Sequence, residues 1–167
     1  AKLFVSSSTE DADLFLVLRA FSPNFKEVTF MGALDPHTPI AQGWLRASRR
    51  KLDPALSEPY CPYHSHDEIQ PLTPDQVYEL DIEVWPTCVV LPKGYRIALS
   101  VRGRDYEWPG GLVKGLGTHE STFTGVGPFR HNDPRDRPAD IFSGDVTLHM
   151  GEGKPSHVLL PIVPISM

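Results

Sequence analysis

Residues 78–102 read YELDIEVWPTCVVLPKGYRIALSVR, and this stretch decides the fold class. Apolar residues alternate with Glu and Asp over residues 78–84, and with Arg, Ala and Ser over residues 95–102. Because successive side chains of a β-strand point to opposite faces, each run predicts a strand with one face in a core and one in water. If the two strands are neighbours in one sheet, we expect cross-strand pairs such as Glu83 with Arg96.

The rest of the chain is also patterned as short strands joined by turns. Residues 14–18, LFLVL, form a continuous apolar run that is typical of a central strand buried on both faces. Seventeen Pro and thirteen Gly break the chain into short segments, and the prolines between residues 52 and 73 predict a long irregular connection. Further strands are predicted over residues 40–47, near 122–124, and over 145–149 and 157–161. This pattern indicates an all-β fold, a sandwich or jelly roll.

Four segments resemble, in the same order, the C-terminal β-sandwich of the CocE/NonD serine hydrolases, a family that includes X-Pro dipeptidyl-peptidases and cocaine-esterase-like enzymes. These segments are residues 3–23 (LFVSSSTEDADLFLVLRAFSP), 40–54 (IAQGWLRASRRKLDP), 72–101 (LTPDQ to IALSV) and 149–164 (HMGEGKPSHVLLPIVP). The resemblance implies a galactose-binding-like jelly roll. It also implies a Ser-His-Asp triad in a separate α/β-hydrolase domain, whose active site this sandwich helps to wall. One departure falls at Phe25, where relatives often carry a glycine that adopts positive φ easily.

Length and charge agree with one domain over residues 1–167. The chain starts without Met, inside an apolar alternation, so we expect a fragment with the hydrolase domain upstream. A net charge of −5 gives no reason to expect nucleic acid or an anionic membrane as a partner, and no apolar run approaches the roughly 20 residues of a membrane span. With no signal peptide and only Cys61 and Cys88, we expect a cytoplasmic protein with reduced thiols.

The sequence offers no complete catalytic apparatus. The Gly-x-Ser-x-Gly motif that marks the nucleophile of α/β-hydrolases is missing from the sequence. His119, Glu120 and Ser121 are triad-type residues, but neighbours on a strand point to opposite faces and cannot form a relay. We therefore expect no catalytic residue in this chain.

Two loops could supply metal ligands. His64 and His66 could lie on one side of an extended segment with Asp67 or Glu68, but a solvated loop is the favoured interpretation. The Asp-rich residues 131–140 contain interleaved arginines, which favours internal ion pairs over an oxygen cage for Ca²⁺. We expect neither a metal nor a cofactor.

Aromatic and polar loop residues are the candidates for recognition. Trp44 is expected in the core or as an interface anchor, Trp85 over the end of the core, and Trp108 in an exposed loop. We predict a docking face for the hydrolase domain, because long polar-aromatic loops that follow well-defined strands often form recognition surfaces. Its residues are Arg104, Asp105, Tyr106, Trp108, His131 and Asp133.

Two other functions stay open. One is a stand-alone carbohydrate-binding jelly-roll module, in which Trp44, Trp85 and Trp108 could form a platform for sugars and Trp108 is the more exposed candidate. The other is a self-associating fragment, because a sandwich that lacks an edge strand can complete its sheet by pairing with a second copy, giving a homo-oligomer.

Overall fold

The structure is a computed structural model that describes residues 1–32, 34–109 and 122–163. Within these ranges the regular secondary structure is almost entirely β-strand, with one short helix and one 3₁₀ turn at Ala47–Arg49, and irregular segments join the strands. The elements in chain order are β1 (Lys2–Ser7), β2 (Asp13–Phe21), β3 (Glu27–Val28), β4 (Ala41–Arg46), β5 (Tyr78–Asp81), β6 (Arg96–Arg102), α1 (Ala139–Phe142) and β7 (Val146–His149).

The strands form two antiparallel sheets. The first sheet has the order β5-β1-β7. The second is built on β2, which pairs with β3 and β4 along one edge and with β6 along the other. The register aligns Leu16 of β2 with both Gly43 of β4 and Val101 of β6. The predicted central strand is therefore confirmed.

The main hydrophobic core, the larger of two clusters of buried apolar side chains among the described residues, lies between the two sheets. Leu3 of β1 is paired with Leu80 of β5, and both side chains face the second sheet. Leu14 and Leu16 of β2 and Leu45 of β4 meet them from the other side. Because buried side chains of both sheets share this core, the fold is an all-β sandwich, as predicted. The galactose-binding-like subtype stays a prediction.

The two strands predicted in residues 78–102 are confirmed, but they are not neighbours in one sheet. Strand β5 pairs with β1 in the first sheet, whereas β6 pairs with β2 in the second, so Glu83 and Arg96 are not cross-strand neighbours. After β5 the chain crosses from one sheet to the other, and the backbone N–H of Trp85 donates to the carbonyl of Gln42 at 2.9 Å. Alternation predicts that each segment is a strand but not which strand lies alongside.

Other boundaries differ from the predictions in the irregular parts of the chain. Residues 122–124 form no strand. The predicted final strand is reduced to an isolated bridge between His157 and Lys2. The turn after β2 does place Phe25 at φ 62°, the left-handed conformation that glycine adopts without steric cost. No helix in the described part of the chain is long and apolar enough to cross a membrane.

Candidate functional site

The outer face of the second sheet is covered by two loops, residues 103–109 and 124–142, which we call the loop cover. Phe15 points away from the core between Leu14 and Leu16, yet only 3% of its surface is exposed. The His131 ring lies 5.5 Å from the Phe15 ring, and the guanidinium of Arg137 lies 5.0 Å from it. The continuous apolar run of β2 is thus explained by burial on both faces.

A network of ion pairs attaches the loop cover to the sheet. The largely buried carboxylate of Asp13 accepts from Arg46 at 2.9 and 3.0 Å and pairs with Arg137 at 3.0 Å. Arg46 also donates to Asp136 at 3.0 Å. The hydrogen bonds to Asp13 raise the pKa of Arg46 above its usual range. The predicted internal pairing of arginines and aspartates in residues 131–140 is confirmed.

Tyr106 is buried beneath the loop cover. Only 3% of its surface is exposed, and its hydroxyl donates to Glu27 at 3.1 Å. The same carboxylate accepts two hydrogen bonds from Arg19, at 2.7 and 2.6 Å. Burial first, and then the charge of Glu27, raise the pKa of Tyr106 above its usual range. Tyr106 therefore fixes the position of its loop from below.

Trp108 is half-buried against a second anchored loop, and it is not the freely exposed ring that the sequence suggests. Its indole stacks on the ring of His37 with centroids 4.8 Å apart and planes 5° apart. The buried carboxylate of Asp35 accepts from the backbone N–H groups of His37, Gly125 and Gly127, at 2.9, 2.7 and 2.8 Å. One face of the Trp108 indole is thus occupied by the protein itself.

The structure brings together part of the predicted docking set. Asp105 accepts from the backbone N–H of His131 at 2.6 Å, and its Oδ1 lies 3.0 Å from His131 Nδ1. Arg104 is exposed, and Asp133 is exposed and paired with Arg135 at 2.7 Å. These residues lie on the loop cover, with Tyr106 beneath it. Their contact with another domain stays a prediction.

A cleft of about 430 Å³ opens beside the loop cover. Its aromatic walls are Trp44 and Trp85, whose ring centroids lie 5.0 Å apart at 72°. Its lining also includes Arg49, His64, His66, Glu83, His131 and Asp136. Trp85 is 60% exposed, so the expectation that it covers the end of the core is wrong. Because the chain crosses between sheets after β5, Trp85 lies next to the outward-facing Trp44. A local sequence pattern does not show that these two residues meet.

The histidine segment gives no support to a metal site. The rings of His64 and His66 are 6.0 Å apart, and Asp67 is engaged by Lys51 at 2.8 Å and by Ser65. The hydrogen bond from Lys51 lowers the pKa of Asp67 to about 2. Among the residues that the structure describes, no group of three His, Cys, Asp or Glu is arranged to hold a metal ion. The triad-type residues 119–121 lie outside the described ranges.

The described site is a set of anchored loops beside a cleft. Loops are fixed on a rigid sheet, most of their charges are used in internal pairs, and the largest exposed ring borders a cleft. The Asp105–His131 pair orients an imidazole but supplies no nucleophile by itself. Fold and loops together define an all-β sandwich domain with one sheet face covered by loops.

Comparison with known proteins gives the family. The model of the X-Pro dipeptidyl-peptidase C-terminal non-catalytic domain matches residues 1–159, and the chain belongs to this family. Two crystal structures of a CocE/NonD family hydrolase from Staphylococcus aureus are similar in fold. The first is 24% identical with a TM-score of 0.68, over 92% of this chain and 25% of that one. The second is 27% identical with a TM-score of 0.62, over 79% of this chain and 23% of that one.

The resemblance seen in the sequence is therefore confirmed. The chain spans about a quarter of the length of these hydrolases. A search of curated proteins by sequence finds no match.

Proposed function

We propose that this chain is the accessory domain of a CocE/NonD-type serine hydrolase, either an X-Pro dipeptidyl-peptidase or an esterase or acylase. In this proposal residues 1–167 are one C-terminal domain, and the catalytic α/β-hydrolase domain precedes them in the same polypeptide. The observation that carries the proposal is the match of residues 1–159 to a non-catalytic C-terminal domain of such enzymes. The similar hydrolases, about four times longer than this chain, support it.

The contribution of the domain to the reaction would be positioning and water exclusion. A rigid sandwich that packs beside an active site holds the substrate-binding wall in place and keeps solvent away from the reacting groups. The docking face in this proposal is the exposed part of the loop cover: Arg104, Trp108, His131 and Asp133. Asp105 orients His131, and Tyr106 supports the loop from beneath. The sandwich would transfer no proton itself.

The test uses the natural polypeptide that contains residues 1–167. A fluorophosphonate probe should label a serine upstream of Ala1. Trp108→Glu combined with Arg104→Glu should uncouple the thermal unfolding of the two domains and lower kcat/KM for a chromogenic ester by about tenfold, because a displaced wall loses orientation of the substrate. Glu152→Arg, on an exposed turn after β7, is the matched charge-changing control. Unchanged coupling and unchanged activity in the double variant would refute the docking map.

A carbohydrate-binding module is the second candidate, favoured by the exposed Trp85 in a cleft with polar walls. Aromatic rings of this kind stack on sugars in many β-sandwich domains. Titration with a panel of glycans tests it. Saturable binding that disappears in Trp85→Ala, together with no labelled serine in the natural polypeptide, would favour the module.

Self-association is a third candidate, favoured by apolar side chains exposed along one edge of the sandwich. Ile97 of β6 is 40% exposed although its register partner Ala20 is buried, and Leu148 of β7 is exposed although its partner Val5 is buried. Such an edge could be covered by a second copy. Sedimentation of the protein over a range of concentrations would show a dimer if this were so.

A further inference from the structure

The cleft between Trp44 and Trp85 lies beside the proposed docking face and offers an exposed aromatic ring that the loop cover does not. We propose that this cleft is the anchor pocket of the interface, and that it receives an apolar side chain presented by the hydrolase domain. This inference rests on the proposed function and adds the position and chemistry of the contact. It places the centre of the interface at Trp85 and leaves Trp108 at its border.

Trp85 is exposed although its backbone and one side of its ring are held by contacts with β4. Its backbone N–H is bonded to Gln42, and its ring meets the edge of Trp44. The backbone of Glu83, just before Trp85, packs directly against Gly43. A Cβ added at Gly43 would lie 2.0 Å from the carbonyl oxygen of Glu83. A large ring that is already held in place loses little conformational entropy when a partner covers it. Tryptophan in such a position is the residue type most often found at the energetic centre of interfaces.

The second argument comes from the charges on the rim of the cleft. Asp13, Arg46 and Asp136 neutralise one another. Arg49 and Glu83, in contrast, have no salt-bridge partner among the described residues. Within the described ranges, Arg49 donates to the backbone carbonyl of Glu68, at 3.3 Å, and the Glu83 carboxylate accepts from the thiol of Cys61, at 3.7 Å. A complementary partner would therefore place a carboxylate near Arg49 and a cation near Glu83, on either side of its apolar side chain.

The third argument is continuity with the proposed docking face. His131 and Asp136 belong to the loop cover and also line the cleft. The His131 ring lies 6.0 Å from the Trp44 ring, so the two surfaces meet without a gap at this residue. A cleft of about 430 Å³ is large enough to receive a branched aliphatic or aromatic side chain together with part of the segment that carries it.

Hydroxyl-radical footprinting of the natural full-length polypeptide tests the inference without any substitution. The oxidation rate of each residue is compared in the folded and urea-unfolded states. Tyr60 is the internal control, because it is 70% exposed here and does not line the cleft. Tyr60 should react at nearly its unfolded rate. Trp85 should react about tenfold more slowly when folded, because the centre of an interface is desolvated.

The outcomes separate the anchor pocket from the general docking proposal. If Trp85 reacts at nearly its unfolded rate while the exposed Phe129 of the loop cover is protected, docking stands and the anchor pocket is refuted. If both react freely, both proposals are refuted. If Trp85 becomes protected only when a soluble glycan is added, the cleft is a sugar site and the anchor pocket is again refuted.

Variants of the same polypeptide give a second measurement. Trp85→Ala should uncouple the unfolding of the two domains, and Trp85→Phe should restore much of the coupling because it returns an aromatic ring to the cleft. Tyr60→Ala, which removes a similarly exposed ring elsewhere, should leave the coupling unchanged. Equal effects of Trp85→Ala and Tyr60→Ala would overturn the inference.

Discussion

Trp108 and Trp85 both lie in segments without regular secondary structure, but their surroundings differ in kind. Trp108 is stacked on His37 in a region where a buried carboxylate, Asp35, binds three backbone N–H groups. Trp85 rests edge-on against Trp44 and leaves most of its surface in solvent. The region of Trp108 is covered by loops that hydrogen bonds hold together. The region of Trp85 is also held in place, but the Trp85 ring stays accessible to solvent.

The difference shows that a position in a loop does not by itself make an aromatic side chain accessible to a partner. Loop backbone must satisfy its polar groups, and the Asp35 carboxylate does this by holding the loop of Gly125 and Gly127 against its own segment. Near Trp85 the backbone is instead fixed by contact with the glycine of β4, which leaves the ring outside. The four predictions below test this contrast through stability.

The largest effect is expected from Gly43→Ala. The new Cβ would lie 2.0 Å from the Glu83 carbonyl oxygen, a backbone atom that cannot rotate away. The crossing segment would have to move, at a cost of about 3 kcal/mol in the free energy of unfolding. Gly103→Ala is the matched control, because a Cβ there meets nothing within 4 Å. Urea unfolding measures both, and equal stability of the two variants would show that the crossing is not tightly seated.

Asp35→Ala should cost somewhat less, about 2 kcal/mol, because it leaves buried backbone N–H groups without an acceptor. Asp133→Ala is the control, since this carboxylate is exposed and its pair with Arg135 contributes little. Amide hydrogen exchange at Gly125 and Gly127 should accelerate only in the Asp35 variant. Unchanged exchange there would mean that the loop is closed by other contacts.

The two tryptophans themselves should differ. Trp108→Ala should lower the free energy of unfolding by about 1–2 kcal/mol, because it removes a half-buried stacked ring. Trp85→Ala should lower it by less than about 0.5 kcal/mol in the sandwich alone, as expected for an exposed side chain. Urea unfolding of both variants measures which substitution lowers the free energy of unfolding more. A larger loss at Trp85 would contradict the open character of the cleft.

The smallest effect concerns pH and His64, on the wall of the cleft. Burial lowers the pKa of this half-buried imidazole below its ordinary value of 6.5. The unfolded chain therefore takes up a proton at a higher pH than the folded chain. The stability contributed by neutral His64 is present above pH 6.5 and is lost as the pH falls through the folded-state pKa.

Partial exposure keeps this contribution below about 1 kcal/mol. Stability measured from pH 7.5 down to pH 5 should fall less steeply in His64→Gln than in the parent chain. His66→Gln is the control, because the His66 side chain is exposed. Parallel pH profiles for the parent and His64→Gln would show that the cleft wall is fully hydrated.

Much of the fold could be predicted from local pattern. The alternation in residues 78–84 and 95–102 identified β5 and β6, and the continuous apolar run identified β2 as a strand buried on both faces. The interleaved Asp and Arg residues of the loop cover gave the correct expectation of an ion pair between near neighbours, Asp133 and Arg135. These features depend on side-chain periodicity and on the pairing of neighbouring charges, which the sequence displays directly.

The candidate site was predicted only in part. Asp105 and His131 were both expected on one face, and they do meet. Tyr106 was expected in contact with a partner and is instead buried against Glu27. Trp85 was expected over the core and instead borders the cleft. Each of these positions depends on which sheet a segment joins after a loop, and a local pattern does not contain that information.

The all-β character and the resemblance to the CocE/NonD family follow from the amino-acid sequence, because strand periodicity and four ordered motifs are local properties. The tertiary structure decided the assignment of β5 and β6 to different sheets, the burial of Phe15 and Tyr106, and the exposure of Trp85. The physical reason is that these depend on contacts between residues far apart in the chain. Such contacts are fixed by the packing of the two sheets and the hydrogen bonds of the loops, and not by the residues next to them.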